Sequence, residues 1–468
     1  MVQFVSRGLR LSIFLYALLH FINYFFNIES IAYIHAVIGF VMLILSAVNL
    51  TLNRFKLPLF LITAGVITLV VTGGLSAEHI KNGLLQMSDI IGLLAIVPLI
   101  GWVLRQEAYI NEMIGLAHKL LDSSRKFYFV MISFTHILSY FLLFGVISLM
   151  YQFVSNILQH QRGEAWEYFK GTALLRGFAL STIWTISIPS FAFAVEALNA
   201  SLWQSILQGF FVAVAGIVMA VLFSRFEEKS YGIDFTSEIK KEISSVLEQS
   251  SDKKDQLRTT GEFIFLFITL FGSIFLLYEI LAVKLMLLIP FVIIVWSVIY
   301  FLVKRKMKHM VAEMKNYYAN GLSSQAYQFS VLISAGIVIL AVNQSGIGKA
   351  VVNRIYSLQE VLPFFNMLYF LPFIVIILGF IGLGPLTVMV LVAGILESIS
   401  LPYPPELIVL AVTSGSAISI LVSPLIMPVI ILSGTNGLSP FKNGLAFNYK
   451  FAIAFYILVQ CYIQWMVS

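Results

Sequence analysis

Cysteine is nearly missing from this chain, which has one, Cys461, in 468 residues. That excludes an intramolecular disulfide framework and any thiolate metal cluster. Charge is scarce as well. Asp, Glu, Lys and Arg make up 11% of the residues, against about 25% in soluble domains, while 59% are hydrophobic. The balance excludes a soluble globular fold, and continuous rather than alternating apolar runs exclude a β-barrel. What the chain has instead are stretches such as 11–27, 31–50 and 263–280, each suited to a hydrocarbon layer of ~30 Å. An all-α polytopic membrane protein is predicted, with about 10–11 transmembrane helices by span length.

Catalytic signatures are missing too. "SGIGKA" at 345–350 resembles a phosphate loop but lacks its first glycine and the Ser/Thr after Lys349. No metalloprotease or nucleophile-elbow motif is present. The sequence therefore predicts no enzyme and no cofactor, and any uphill transport has to be driven by an ion. The formal charge of +6 gathers in short loops, at Arg7 and Arg10, at Arg54 and Lys56, and at 304–309. The positive-inside rule then puts the N-terminus in the cytoplasm, in a cell membrane, with no nucleic acid required as partner. Arg7 and Arg10 imitate a signal peptide, but no small-residue cleavage site follows, so the first helix is expected to be retained. Residues 105–126 read as an amphipathic helix at the interface. Residues 225–259, rich in both charges, read as a cytoplasmic linker joining membrane halves 1–224 and 260–468.

Two segments depart from plain spanning helices. "SAISILVSPLIMPVIILSGTNGLSP" (416–440) is apolar but broken by Pro424, Pro428, Gly434 and Gly437. "RGFALSTIWTISIPSFAFAVEALNAS" (176–201) is its counterpart: with Pro189 aligned on Pro424, Ser181 falls on Ser416. Each segment precedes one long plain helix, which points to an internal repeat. Broken backbone at membrane depth is tolerated only where protein or water surrounds it, so two hairpins are expected, at about 171–200 and 404–436, opening to opposite faces. Their hydroxyls and breaks supply the candidate ion- and substrate-binding residues: Ser181, Thr182, Ser187, Pro189 and Ser190 in the first, and Ser414, Ser416, Ser419, Ser423, Pro424 and Asn436 in the second. Half-helix N-termini favour anions, and freed carbonyls favour Na⁺. The inverted topology requires 361–401 to make one net crossing, although "GLGP" at 382–385 could divide it into two helices.

Such paired Ser/Thr-rich turns ahead of spanning helices resemble the ion transporter superfamily of divalent anion/sodium symporters and their citrate and arsenite relatives. The turns here read "SIPS" and "VSPL", where those symporters carry Ser-Asn-Thr. The resemblance implies a scaffold and a mobile transport domain working as an elevator, often in a homodimer.

Charged residues inside the apolar runs complete the picture. Arg176 is expected at the mouth of the first hairpin, either pairing with an anion or reaching the headgroups. Glu196 and Glu397 are candidate coupling carboxylates or partners of Arg176. Asp89 is expected near an interface, and His136 in a helix–helix contact. The function expected is an ion-coupled (Na⁺ or H⁺) secondary transporter of a small anionic substrate. A flippase for a lipid-linked envelope precursor and a non-transporting assembly scaffold are the rival readings.

Overall fold

A computed structural model describes the chain except Met1, Ala108, 110–111, 114–122, Ile233, 247–252, Ala282, 351–352, 355–356, 358–365, Ser400 and Ser468. The amphipathic segment expected at 105–126 lies largely outside the described residues. Among the described residues there is no strand, and nine helices are long and apolar enough to cross a membrane. The protein is an all-α polytopic membrane protein. Shorter apolar helices, among them Gly145–Ile157, Met367–Phe380 and Pro385–Leu396, fill the gaps between them.

One order of elements occurs twice. In the first unit, Ser124–Leu142 turns at Leu143 into Gly145–Ile157, forming a hairpin. Glu164–Ser181 follows, breaks over 182–188 and resumes as Pro189–Ala197, after which comes the long helix Leu202–Tyr231. In the second unit, Met367–Phe380 and Pro385–Leu396 form the hairpin. Pro405–Val422 and Met427–Asn436 are the broken pair, and Phe447–Val467 closes the unit. The division of 361–401 at "GLGP" is therefore observed.

Proline makes the breaks. Ile188 is held extended at φ −87°, ψ 111° ahead of Pro189, because a residue before proline is pushed out of the helical region. The second unit uses two prolines. Pro424 holds Ser423 extended as the first half ends, and Pro428 sits in the first turn of the second half. By position in its helix Pro189 thus corresponds to Pro428, four residues past the partner the sequence suggests.

Glycines fix the same close approaches in both units. A Cβ on Gly177 would lie 2.6 Å from the Ile132 carbonyl oxygen, and one on Gly415 would lie 2.7 Å from Pro372 Cα. Each glycine lets a broken helix press backbone to backbone against the first arm of its own hairpin. Ser187 Oγ donates to the Tyr140 carbonyl at 2.7 Å, and Ser423 Oγ donates to the Gly379 carbonyl at 2.9 Å. Both bonds tie a break to the last turn of the same hairpin arm.

The expected hairpins at 171–200 and 404–436 are not hairpins. Tyr168, near the start of the first broken helix, meets Tyr231 at the end of Leu202–Tyr231. Ser201, just before that helix starts, donates its backbone N–H to Glu406. The 30 residues of this helix hold its two ends about 45 Å apart. Residues 164–201 therefore run from one end of the molecule to the other. The second broken helix runs the opposite way, from Glu406 beside Ser201 to the turn where Lys442 pairs with Glu164 at 2.5 Å. Both are broken crossing helices.

The hairpins of the structure stand one element earlier in each unit. The first starts at the end that carries the charged linker, where Ser124 bonds Glu228 and Thr236. The second starts at the opposite end, where Asn366 donates to Gln464 near the last helix's C-terminus. Around the paired units lies a separate group of helices, Val2–Phe26, Glu29–Arg54, Lys56–Val71, 77–104, Leu285–Val303 and Ala326–Ser345, which pack chiefly on one another. This grouping draws helices from both sequence halves.

Candidate functional site

The first helix break and the two hairpin tips converge. A cavity of about 250 Å³ is lined by Leu143 and Phe144 at the first tip and by Pro385 and Leu386 just past the second. Phe178, Thr182, Ile188, Pro189 and Ser190 of the first broken helix line it as well, with Ile420 of the second. Leu94, Val97, Pro98, Gln325 and Gln328 of the flanking group close its side. Of the residues anticipated from sequence, Thr182, Pro189 and Ser190 meet here.

Thr182 Oγ1 donates back to the Ala179 carbonyl at 2.7 Å, so its oxygen still has acceptor capacity. Ser190 is 6% exposed, and its hydroxyl makes no hydrogen bond to another described residue. It sits in the first turn of a nine-residue helix that starts with proline. Gln325 gives its Nε2 to Tyr317 Oη at 3.2 Å, while its Oε1 is buried without a donor. Sequence reasoning missed Gln325 and Gln328. The signal was a pair of amides at the very start of an apolar span.

The cavity shares part of its wall with a recess at one end of the molecule. Val97, Pro98, Leu143 and Gln325 line both the cavity and a recess of about 550 Å³. That recess leads to Arg105, Glu313, Asn316 and Asn320, with Arg105 and Glu313 paired at 3.1 Å. Lys306, which pairs with Glu107 at 2.9 Å, belongs to the same charged end.

At the opposite end lies a polar vestibule of about 720 Å³. It brings together Glu196 and Glu397, the two coupling candidates from separate halves, with Asp89 and Lys284. Glu196 Oε2 accepts the Met286 backbone N–H at 2.8 Å. Asp89 lies 3.4 Å from His20. None of the residues lining the vestibule lines the central cavity.

The remaining serines are placed elsewhere. Ser181 and Ser414 donate to their own helices, at the Phe178 and Ala411 carbonyls. Ser187 and Ser423 hold the hairpin arms, as described above. Ser416 and Ser419 are buried with hydroxyls that find no partner, and they do not line the cavity. Pro424 shapes the break without lining it. Asn436 exchanges amide hydrogen bonds with Asn443 near the Lys442 end.

Arg176 is neither at a mouth nor at a headgroup. It is 0% exposed. Nε donates to Asn448 Oδ1 at 3.1 Å, Nη1 to Tyr128 Oη at 3.1 Å and Nη2 to Tyr168 Oη at 3.2 Å. Glu227 lies 3.5 Å from Nη2, and the guanidinium stacks 4.5 Å from the Phe451 ring centroid. Its carboxylate partner is thus Glu227, not Glu196 or Glu397. An arginine bonded on every nitrogen and paired with Glu227 joins its own helix to three others, and none of its atoms lines the cavity. His136 accepts from Trp184 Nε1 at 3.1 Å, a bond from the hairpin arm to the break rather than from helix to helix.

Comparison of the sequence with protein-family models and with curated proteins gave no match.

Proposed function

We propose that the protein is a secondary transporter, coupled to Na⁺ or H⁺, that carries a small anionic substrate through the central cavity by alternating access. One observation carries the reading: two hairpin tips and a helix break, from both units, meet at a single cavity. In this reading the hairpins 124–157 and 367–396 are re-entrant from opposite faces. Their shorter arms, of 13, 14 and 12 residues, extend about 18–21 Å, too short for a hydrocarbon core of ~30 Å. Discontinuous helices at the interface of inverted repeats are where secondary transporters hold substrate and coupling ion. The half-helix N-terminus at Pro189 supplies the anion preference that Arg176 does not. The recess beside Arg105 is the cytoplasmic mouth, and the vestibule with Glu196 and Glu397 is the outer approach, closed off in this state. The paired units form the moving body and the flanking helices the frame, in a cell membrane with the N-terminus inside.

The test uses proteoliposomes. Counterflow of a panel of labelled small anions should be measured with and without Na⁺ and pH gradients, expecting uphill accumulation driven by one of them. In a Cys461→Ser background, Leu386→Cys on the moving body with Leu94→Cys on the frame, both on the cavity wall, should be bridged by a reducible bifunctional thiol reagent that blocks counterflow until it is reduced. Counterflow that continues with body and frame cross-linked overturns the reading, as does the absence of flux for every anion.

A further inference from the structure

Resting on that reading, we propose that the central cavity takes a monocarboxylate with a small apolar body, and that it discriminates against di- and tricarboxylates. The argument concerns where charge can go. Polar groups in the lining are few: the hydroxyls of Thr182 and Ser190 and the amides of Gln325 and Gln328. The rest of the wall is hydrocarbon from the hairpin tips and from Phe178, Ile188 and Ile420. Among the described residues no Asp, Glu, Lys, Arg or His lines it, and Arg176 is bonded to Glu227 and its tyrosines.

One negative charge has a place. The helix Pro189–Ala197 is nine residues long and presents its N-terminus at the cavity wall, with a partial charge of about +0.5. Ser190, a residue 6% exposed on the cavity wall, adds a hydroxyl that bonds no other described residue, so a carboxylate there gains a charge-assisted hydrogen bond. A second carboxylate has none of this. Its desolvation costs several kcal/mol, and neutral amides and an apolar wall return little of it. The volume of about 250 Å³ sets the size, and the hydrocarbon wall gives burial to a chain of a few carbons at about 0.8 kcal/mol per methylene.

Binding to the full-length chain in detergent micelles decides this, with butyrate, succinate and butyramide as probes in thermal-shift and calorimetric titrations. Butyrate should bind, with succinate and butyramide at least tenfold weaker. Ser190→Ala should weaken butyrate about tenfold, the loss expected for one hydrogen bond to a charged group. Leu386→Phe takes up part of the cavity, so in a series from acetate to hexanoate it should shift the preferred chain toward the shorter acids. Succinate or butyramide binding as tightly as butyrate overturns the proposal. So does butyrate affinity unchanged in Ser190→Ala, or no binding by any acid in the series. Butyrate binding without counterflow would sink the transport reading and leave the ligand class standing. Counterflow of succinate but not butyrate would do the reverse.

Discussion

The two five-helix units solve the same packing problem with different chemistry at one place. Both press a glycine of the broken helix against the hairpin arm, at Gly177 and Gly415. Both anchor the break with a serine, Ser187 and Ser423. One residue before the glycine they diverge. The first unit has Arg176, bonded to three other helices; the second has Ser414, whose hydroxyl folds back on its own helix. Within the next turn and a half, the second unit leaves Ser416 and Ser419 without partners. Shape is therefore conserved between the units where backbones touch, while the charged fastening belongs to one of them. The broken helix of the first unit is pinned to its neighbours. That of the second is held by packing, by Ser423 and by hydrogen bonds at its two ends, at Glu406 and Asn436.

The largest test of this contrast is Arg176→Gln. It strands Glu227, which is partly buried with one oxygen already lacking a partner, and breaking a buried pair costs about 3–5 kcal/mol. A large fall in the unfolding midpoint of the purified protein is expected, with partial recovery in the Arg176→Gln, Glu227→Gln double variant. Ser414→Ala, at the matching place, should change almost nothing. An Arg176→Gln protein as stable as the parent would break the contrast.

Next in size come Gly177→Ala and Gly415→Ala. Each puts a methyl group on another helix's backbone, and overpacking of that kind costs about 1–3 kcal/mol. Equal losses from the two would sharpen the correspondence between the units; a harmless Gly415→Ala would end it. The smallest effects belong to Ser187→Ala and Ser423→Ala. A hydrogen bond between helices in a membrane contributes about 0.6 kcal/mol, so both variants should stay folded with small and similar midpoint shifts.

The fold was legible as far as composition reaches. Long apolar runs with basic loops specify a helical membrane protein, and prolines within two of those runs mark the breaks. The side on which a chain emerges is not encoded locally. Residues 171–200 are long enough for a hairpin, and only Tyr231 against Tyr168 at one end and Glu406 against Ser201 at the other show that they cross. The hairpin at 124–157 was hidden for a related reason: its two arms, joined at Leu143, form one continuous apolar run with no Gly-Pro signal as strong as that at 382–385. Thr182, Pro189 and Ser190 were readable because proline and hydroxyls at a break carry their own physical rationale. Glu227 was not, because its helix runs on past its apolar stretch into residues that look like linker. Pro428 was overlooked for Pro424, since a sequence does not reveal which of two prolines ends a helix and which starts the next.

The placement of Arg176 also sets a timetable for biosynthesis. Tyr128 and Tyr168 leave the ribosome before it and Glu227 soon after, so its charge can be neutralised within the first unit. Asn448 and the Phe447 carbonyl, which complete its coordination, belong to the last helix. At about 5–20 residues per second, they arrive tens of seconds to about ten seconds later. Until then the nascent first unit holds a neutral but unfinished arginine inside the bilayer. A chain stopped before 447 should accordingly be a substrate for membrane quality control, with Arg176 as the mark by which an incomplete protein is told from a finished one.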